Sequence, residues 1–298
     1  MPAIWKALSE SVRGATHERD GRLNQDAVRM GQAPGAGLLV LALADGHGSA
    51  RSFRSDRGSA LATECAVRLL RTFIRRHGSA MPLSQVRRHM RRRWPKALLE
   101  AWRRAVRADL ARDPFSPLDF AAFPEAPPVL KPGVELPFSA YLAYGATLIV
   151  VAITRRYIVY LQLGDGDILT VRPDGVVGRP WPRENTFFAA ETISLCSERA
   201  EENFQVRVES LRGAAPAMVL LSTDGYANCF GEDRFFFTVG ADLFAYLRTC
   251  GPSFVEEKLE NWLRESSRDG SGDDITVGMA VRLNALRPSF APESPTEP

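Results

Sequence analysis

Long apolar runs that end beside an aspartate recur along the chain. Runs of this length, rich in β-branched and aromatic residues, are typical of strands buried on both faces. The sequence GDDITVGMAV has the reverse order, since its aspartates precede the apolar run. The runs are LLVLALA at 38–44 before Asp45, YIVYLQLG at 157–164 before Asp165, AMVLLST at 217–223 before Asp224, and ITVGMAV at 275–281 after Asp273.

Other segments predict further strands and the helices that cover them. Apolar runs at 146–154 and 168–171 predict two more strands, and RPDG at 172–175 predicts a hairpin turn after the second. Apolar residues at four-residue intervals predict helices. Hairpin-connected strands with helices bunched between them favour antiparallel sheets covered by helices over regular βαβ alternation. The predicted helices lie over 58–76, 95–111 and about 252–267.

Two segments lack either periodicity. Residues 112–140 form a proline-rich insertion with too many prolines for a helix or a central strand. Residues 287–298, RPSFAPESPTEP, predict a disordered tail. We therefore expect a single domain over 1–286.

Composition restricts the class of protein. The chain has 298 residues, 45% of them hydrophobic and 24% charged, which is typical of a globular protein. A net charge of +3 is too small to indicate nucleic-acid binding on its own. The N-terminus lacks the pattern of a signal peptide and no apolar run is long enough to span a membrane, so we expect a cytoplasmic protein. The cysteines have no CxxC spacing and predict reduced core thiols at Cys65, Cys196, Cys229 and Cys250.

One basic segment raises a nucleic-acid alternative. RRHMRRRWPK at 87–96, followed by Trp102, interleaves arginines with tryptophans. The same pattern fits a helix whose tryptophans enter the core while its arginines face water. We favour the helix and expect no nucleic-acid partner.

Aspartates at the ends of several strands predict a metal site. If a packed sheet holds Asp45, Asp165, Asp224 and Asp273 at one rim, their charges repel unless a cation neutralises them. Oxygen ligands suit hard divalent ions such as Mg²⁺ or Mn²⁺. Gly46 has no Cβ, so the backbone there can bend closely enough to offer its carbonyl as a further ligand.

Six short motifs in a fixed order give the chain a family resemblance. The opening GATHERDGRLNQDA at 14–27 is most similar to a bacterial branch of the same family. The series resembles the metal-dependent type 2C serine/threonine protein phosphatases. The motifs are NQDAV at 24–28, ADGHG at 44–48, YGATLIV at 144–150, LGDGD at 163–167, STDG at 222–225 and GDDITV at 272–277.

This resemblance implies an α+β fold and a reaction. The fold would be an αββα sandwich of two antiparallel sheets flanked by helices. The reaction would be hydrolysis of phosphoserine and phosphothreonine in proteins by a water activated at a centre of two Mn²⁺ or Mg²⁺ ions, with a third, weaker site. The partners would be a phosphorylated protein substrate and a counteracting Ser/Thr kinase.

The resemblance also assigns the metal ligands. Asp45 would bridge both metals, and Gly46 would offer its carbonyl to one of them. Asp224 and Asp273 would complete the protein ligands of the other metal. Asp165 matches the carboxylate of the third metal.

Three further residues complete the implied site. Asp26 would act through metal-bound water. His47 matches the family's general acid, which protonates the leaving alkoxide. For His17 we expect a structural hydrogen bond.

Several positions depart from the family pattern. Gly21 stands where many relatives carry an arginine that clamps the substrate phosphate, and Arg19 or Arg22 could substitute for it. Gln25 replaces an acidic residue, and Asp167 stands where GDSR-containing relatives have arginine. Asp274 falls where relatives commonly carry asparagine.

These departures keep a second interpretation open. The alternative is a pseudophosphatase, a phosphoprotein-binding module with weak or no catalysis. Retention of the ligand aspartates favours the enzyme. Residues 179–205 fall where relatives insert a flap beside the active site, and we expect a candidate flap there.

Overall fold

The computed structural model describes residues 4–33, 37–77, 80–119, 136–182, 192–213 and 215–286. The predicted disordered tail at 287–298 lies outside the described residues. So do residues 120–135 of the proline-rich insertion and residues 183–191 of the candidate flap.

Two five-stranded antiparallel sheets form the centre of the fold. The first sheet has the order β1, β10, β9, β6, β7 and the second has the order β2, β3, β4, β5, β8. First-sheet strands are β1 (Trp5–Val12), β6 (Asp167–Val171), β7 (Val177–Gly178), β9 (Met218–Ser222) and β10 (Ile275–Arg282). Second-sheet strands are β2 (Ala27–Ala33), β3 (Leu38–Ala44), β4 (Leu148–Ile153), β5 (Tyr157–Leu163) and β8 (Gln205–Ser210).

Helices cover the outer face of each sheet. One layer packs on β3, β4 and β5, and the other packs on β1, β9 and β10. The first layer contains α2 (Ser55–His77), α3 (Leu83–Arg92), α4 (Trp94–Arg112) and α5 (Phe138–Leu142). The second contains α7 (Asp233–Thr249) and α8 (Pro252–Ser266), while the short α1 (Ala15–Asp20) and α6 (Asp224–Ala227) lie at the sheet ends.

β3 explains why an uninterrupted apolar run is needed at the centre of this architecture. Successive side chains of a strand point to opposite faces. Leu39, Leu41 and Leu43 pack between the two sheets, whereas Val40 and Ala42 pack against the helices. Both faces of β3 are therefore dry, and the predicted αββα sandwich is confirmed.

The predicted helices at 58–76, 95–111 and 252–267 correspond to α2, α4 and α8. The helix favoured for the basic segment at 87–96 corresponds to the second half of α3 and the start of α4, whereas α7 has no counterpart among the predicted helices. Trp94 and Trp102 are buried in the helical core, as the helix interpretation of the basic segment expects. The Trp102 indole donates to the backbone oxygen of Gly58, 3.1 Å away.

The prediction that the cysteines are core thiols is wrong in part. All four are free; Cys65 and Cys196 are buried and Cys229 is half-buried. Cys250 is exposed. It follows the last residue of α7, where the helix ends and its apolar face no longer continues.

In the part of the chain that the structure describes, every helix is too short or too polar to cross a lipid bilayer.

Helix α2 approaches the β4 side of the second sheet so closely that Gly58 has no room for a side chain. A Cβ at Gly58 would lie 1.9 Å from the backbone oxygen of Tyr144. We expect Gly58→Ala to destabilise the fold by about 1–3 kcal/mol, because the backbones must separate to admit the methyl group. Urea unfolding measures this change.

Gly178→Ala is the matched control, since a Cβ there meets nothing within 4 Å. Equal unfolding midpoints for the two variants would contradict the close packing of α2 on Tyr144.

Candidate active site

The predicted aspartates lie just beyond strand ends at one end of the sandwich. In the first sheet, Ser222 at the end of β9 pairs with Asp167 at the start of β6 and with Val277 of β10. In the second, Leu43 of β3 pairs with Ile149, and Leu163 of β5 pairs with Leu148. This register brings together the loops that carry Asp45, Asp165, Asp224 and Asp273.

The charges of these side chains act on one another. Burial, followed by the charge of Asp26 and a side-chain hydrogen bond with Asp224, raises the pKa of Asp45 well above its usual value. Burial and then the charge of Asp224 raise the pKa of Asp165. The pKa of Asp273 is raised by burial and, more weakly, by Asp224. The sequence therefore located a group of interacting carboxylates.

Asp26 is the most enclosed member of the group. Burial is the main reason that its pKa lies well above the usual value, and the charge of Asp274 adds to it. Thr223 donates its hydroxyl to Asp26 Oδ2 at 2.8 Å. Asp26 Oδ1 is buried with no hydrogen-bond partner among the described residues, and so is Gln25 Oε1. These oxygens have been removed from water without a donor, which is costly unless a ligand supplies one.

The donor set fits a hard divalent cation. Carboxylate oxygens raise one another's pKa here, and a positive charge between them reverses that effect. Among the described residues, no three or more His, Cys, Asp or Glu side chains stand in the geometry of a preformed metal site. Asp224 instead lies close enough to Asp45 to raise the pKa of the Asp45 carboxyl. A bound cation would offset this repulsion.

The loop after β3 is held by the segment that precedes β4. The backbone N–H of Thr147 donates to the Asp45 carbonyl at 2.8 Å, and the Thr147 hydroxyl accepts from the Asp45 N–H at 3.1 Å. The His47 N–H donates to the Gly145 carbonyl at 3.1 Å. Gly46 forms an isolated bridge with Ala146. These bonds fix the backbone that carries Asp45 and His47.

Tyr144 anchors that segment from below. Its hydroxyl donates to Asp109 Oδ2 at 2.9 Å and accepts from Arg54 Nη1 at 3.0 Å. Arg54 also donates to the carbonyls of Asp113 and Pro114 at the root of the proline-rich insertion. One buried polar network thus connects the insertion to the loop that carries the candidate catalytic residues.

Asp274 ties the N-terminal segment to the C-terminal one. Its Oδ1 accepts the Gly14 N–H at 2.6 Å, and its Oδ2 accepts the Gln25 N–H at 2.7 Å. His17 Nδ1 lies 2.9 Å from Oδ2, so the expected structural hydrogen bond of His17 is present. An asparagine has only one side-chain oxygen and could not accept both bonds, which explains the aspartate at this position.

Gly21 occupies the position of the missing arginine because the chain turns there. Its φ of 68° is left-handed and closes the C-terminal end of α1, a conformation that favours glycine. Arg22 lines a cleft of about 290 Å³ together with Gln25, Asp45 and Asp273. Its guanidinium donates to Asp20 at 2.6 Å. Arg19 instead donates to the Thr16 hydroxyl and is not one of the cleft residues.

Asp167 is directed away from the cleft. It is buried and accepts two bonds from Arg179, at 2.5 and 3.2 Å. Arg179 also pairs with Asp233 at the start of α7. The acidic residue in GDGD is therefore neutralised within the fold and adds no charge to the site.

The described part of the candidate flap borders the site. The hydroxyl of Thr192 donates to Asp165 Oδ2 at 2.6 Å. The Leu195 N–H donates to the Ala146 carbonyl at 2.9 Å. Arg179, at its other end, is held by the ion pairs described above.

Sequence reasoning missed the residues that support the site. Two of them, Tyr144 and Thr147, carry no charge that would suggest a role at the site. Arg54 is charged but lies outside the quoted motifs. Asp109 stands four residues before Asp113 on a helix whose charges look like an ordinary solvated face. Its pairing with Tyr144 depends on a contact between distant parts of the chain, for which no local pattern exists.

Comparison with known proteins gives one family. The family model described as Protein phosphatase 2C matches residues 13–264. This range contains every motif of the ordered series except the last, and the resemblance is confirmed. No curated protein matches the chain significantly.

Solved structures share the fold. PppA, a key regulatory component of T6SS in Pseudomonas aeruginosa, is 19% identical, with 94% of this chain and 98% of that chain covered and a TM-score of 0.55. The catalytic domain of the serine threonine protein phosphatase PstP, in complex with 2 manganese ions, is 17% identical, with 94% and 98% covered and a TM-score of 0.53. Stp1 from Staphylococcus aureus is 12% identical, with 94% and 96% covered and a TM-score of 0.54.

The carboxylate group predicts a metal-dependent change in stability. We expect millimolar Mn²⁺ to raise the Tm of the protein, since a ligand at 100 times its Kd stabilises the folded state by about 2.7 kcal/mol. Asp45→Asn should abolish this rise. In EDTA at pH 8 the same variant should melt no lower than wild type. Folding raises the pKa of the Asp45 carboxyl, so ionised Asp45 destabilises the folded state as the pH rises above the pKa of the unfolded chain, and asparagine removes that charge.

Asp242→Asn, on an exposed position of α7, is the control and should keep the full Mn²⁺ response. An undiminished Mn²⁺ response in Asp45→Asn would contradict a cation site at this group.

Asp274→Asn should destabilise the fold by about 1–3 kcal/mol. The N–H of Gly14 or of Gln25 then faces the NH₂ group of the asparagine, which is a donor, and loses its acceptor. The free energy of unfolding in urea measures the loss. Asp269→Asn, at an exposed aspartate paired with the adjacent Arg268, should change nothing. Equal stability of the two variants would show that the bonds to Asp274 contribute little.

Proposed function

Because the chain belongs to the protein phosphatase 2C family, whose members are metal-dependent protein serine/threonine phosphatases, we propose that it hydrolyses phosphoserine and phosphothreonine in proteins at the cleft beside Asp45. The observation that carries the proposal is the group of interacting carboxylates at the strand ends, among them Asp45, Asp224 and Asp273. A sandwich with a purely structural role has no reason to bring these charges together.

The proposed metal ligands are the residues that the resemblance assigned. Asp45 would bridge two Mn²⁺ or Mg²⁺ ions, Gly46 would offer its carbonyl to one, and Asp224 and Asp273 would hold the other. When bound, such ions supply an acidified water as nucleophile and stabilise charge on the phosphoryl oxygens. PstP, in its complex with 2 manganese ions, supports this choice of metal.

Two further carboxylates take supporting roles in this proposal. Asp165 would hold a third, weaker ion; the effect of burial and of the Asp224 charge on its pKa supports this assignment. Asp26 would act through water, because its Oδ1 is buried without a donor while Oδ2 is taken by Thr223.

His47 is the proposed general acid. A seryl or threonyl alkoxide is a poor leaving group unless it is protonated as the P–O bond breaks. The imidazole can donate that proton near neutral pH. The bond from its N–H to the Gly145 carbonyl holds the backbone of His47 directly beyond Asp45 and Gly46.

Arg22 is the better candidate for binding the phosphate. It lines the cleft, whereas Arg19 does not. A guanidinium paired with Asp20 at 2.6 Å is already partly neutralised. We therefore expect weaker ground-state binding of phosphate than a dedicated arginine would give, and a correspondingly high KM.

The proposal extends to the setting of the enzyme. Residues 1–286 would form the catalytic domain, acting in the cytoplasm on a phosphoprotein that a Ser/Thr kinase supplies. The alternative, a pseudophosphatase, predicts phosphopeptide binding without turnover. Retention of Asp45, Gly46, His47, Asp224 and Asp273 favours turnover, because unneutralised carboxylates would otherwise only destabilise the fold.

The test compares two leaving groups. With millimolar Mn²⁺ the protein should hydrolyse both p-nitrophenyl phosphate and a phosphothreonine peptide. His47→Ala should lower kcat on the phosphopeptide by about 10²-fold or more and affect the aryl phosphate far less, because p-nitrophenolate leaves without protonation. Released phosphate and p-nitrophenol are the measured products.

His77→Ala, near the C-terminal end of α2, is the matched control and should leave both rates unchanged. Absence of turnover of both substrates by wild type with Mn²⁺ would refute the phosphatase proposal and favour the pseudophosphatase. If His47→Ala lowers kcat equally on both substrates, the general-acid role of His47 is refuted while the phosphatase proposal stands.

A further inference from the structure

A second, larger groove lies along the outer edge of the second sheet. Its volume is about 1050 Å³, and it is bounded by α3, by β8 and by the segment at Trp181 and Pro182. β8 is the last strand in its sheet and pairs with β5. The groove therefore exposes a strand edge, a feature that natural proteins usually protect.

The register shows which backbone groups face the groove. Leu211 donates its N–H to the carbonyl of Arg156, the residue before β5, so alternate residues from Leu211 back along β8 bond to β5. The intervening residues point outward. Arg87 of α3 confirms this direction, since its Nε donates to the Val208 carbonyl at 3.1 Å. Val206, Val208 and Ser210 thus present their backbone groups to the groove.

The groove is cationic. Arg87, Arg91 and Arg207 line it, and Arg207 pairs with Glu209 at 2.6 Å. Among the described residues, Arg87 and Arg91 have no ion pair with an acidic side chain. Two guanidiniums beside an open strand edge complement an extended chain that carries negative charge.

One end of the groove leads toward the candidate active site. Gln205, at the start of β8, pairs with Gln162 of β5. The Gln162 side chain donates to the carbonyls of Gly164 and Gly166, at 3.2 and 2.6 Å. These glycines flank Asp165. An extended segment on β8 would reach the Asp165 loop within about 10 Å, three residues of strand.

We propose that this groove binds an acidic, extended segment of the phosphoprotein substrate by adding it as a strand to β8. Peptide N–H and C=O groups bond to Val206 and Val208, and Arg87 releases the Val208 carbonyl to pair with an acidic side chain beside Arg91. The inference rests on the proposed function for its substrate. Nucleic acid is disfavoured as the occupant, because its backbone does not repeat the alternating N–H donors and C=O acceptors that pair with a strand edge.

The first experiment measures binding without catalysis. A fluorescein-labelled, unphosphorylated peptide rich in Asp and Glu is titrated with the full-length protein, and its anisotropy is compared with that of an Asn/Gln analogue. We expect the acidic peptide to bind at least tenfold more tightly. Arg87→Gln with Arg91→Gln should weaken its binding at least tenfold, and methylation of alternate peptide N–H groups should abolish it.

Arg88→Gln with Arg92→Gln is the matched control, since both residues are exposed on the same helix and neither lines the groove. Equal weakening by the two double variants, or full binding of the N-methylated peptide, would overturn the proposal. So would displacement of the peptide by single-stranded oligonucleotide at lower concentration than by unlabelled peptide.

The second experiment links the groove to turnover. The Arg87/Arg91 double variant should raise KM for an acidic phosphopeptide about tenfold, with kcat and the hydrolysis of p-nitrophenyl phosphate unchanged. An unchanged KM would overturn a role in substrate binding. If wild type turns over neither substrate, the proposed function fails, while the binding experiment still decides whether the groove accepts an acidic strand.

Discussion

Mutual repulsion among carboxylates is the constraint around which this molecule is organised. Burial, together with the charge of Asp224, raises the pKa of Asp45 and of Asp273, at the ends of β3 and β10. Two dry sheets and their register are needed to hold such charges together. Burial of the apolar core of the sandwich offsets this repulsion, and a bound divalent cation would reduce it.

The buried aspartates divide into two kinds according to what surrounds them. Asp274, Asp167 and Asp109 each accept several bonds from N–H, guanidinium or hydroxyl donors, so their charges are satisfied within the fold. Asp45 faces other carboxylates, and Asp26 has one oxygen bonded to Thr223 and the other buried without a donor among the described residues. Aspartates of the first kind hold distant segments together, whereas those of the second kind are available to bind a cation. Sequence position alone does not separate them, since Asp273 and Asp274 are adjacent.

Much of the sandwich could be predicted because its signals are local. The apolar run of β3 reports burial on both faces, and the aspartates at strand ends marked the site. Helix α7 was missed because its many aromatic residues obscure the apolar stripe. The roles of Asp274 and Asp167 could not be predicted, since their partners, Gly14 and Arg179, are brought to them only by tertiary contacts.

The pairing of β1 with β10 has a consequence for biosynthesis. Trp5 lies opposite Arg282, so β1 must wait until β10 is made before its sheet can close. At typical ribosomal speeds this delay is about 14 to 55 s. During that interval Leu8 and Val12, which are buried in the folded protein, lack the β10 residues that they pair with. Phosphatase capacity would therefore arise only once β10 has been made, and could not build up gradually as the earlier strands appear.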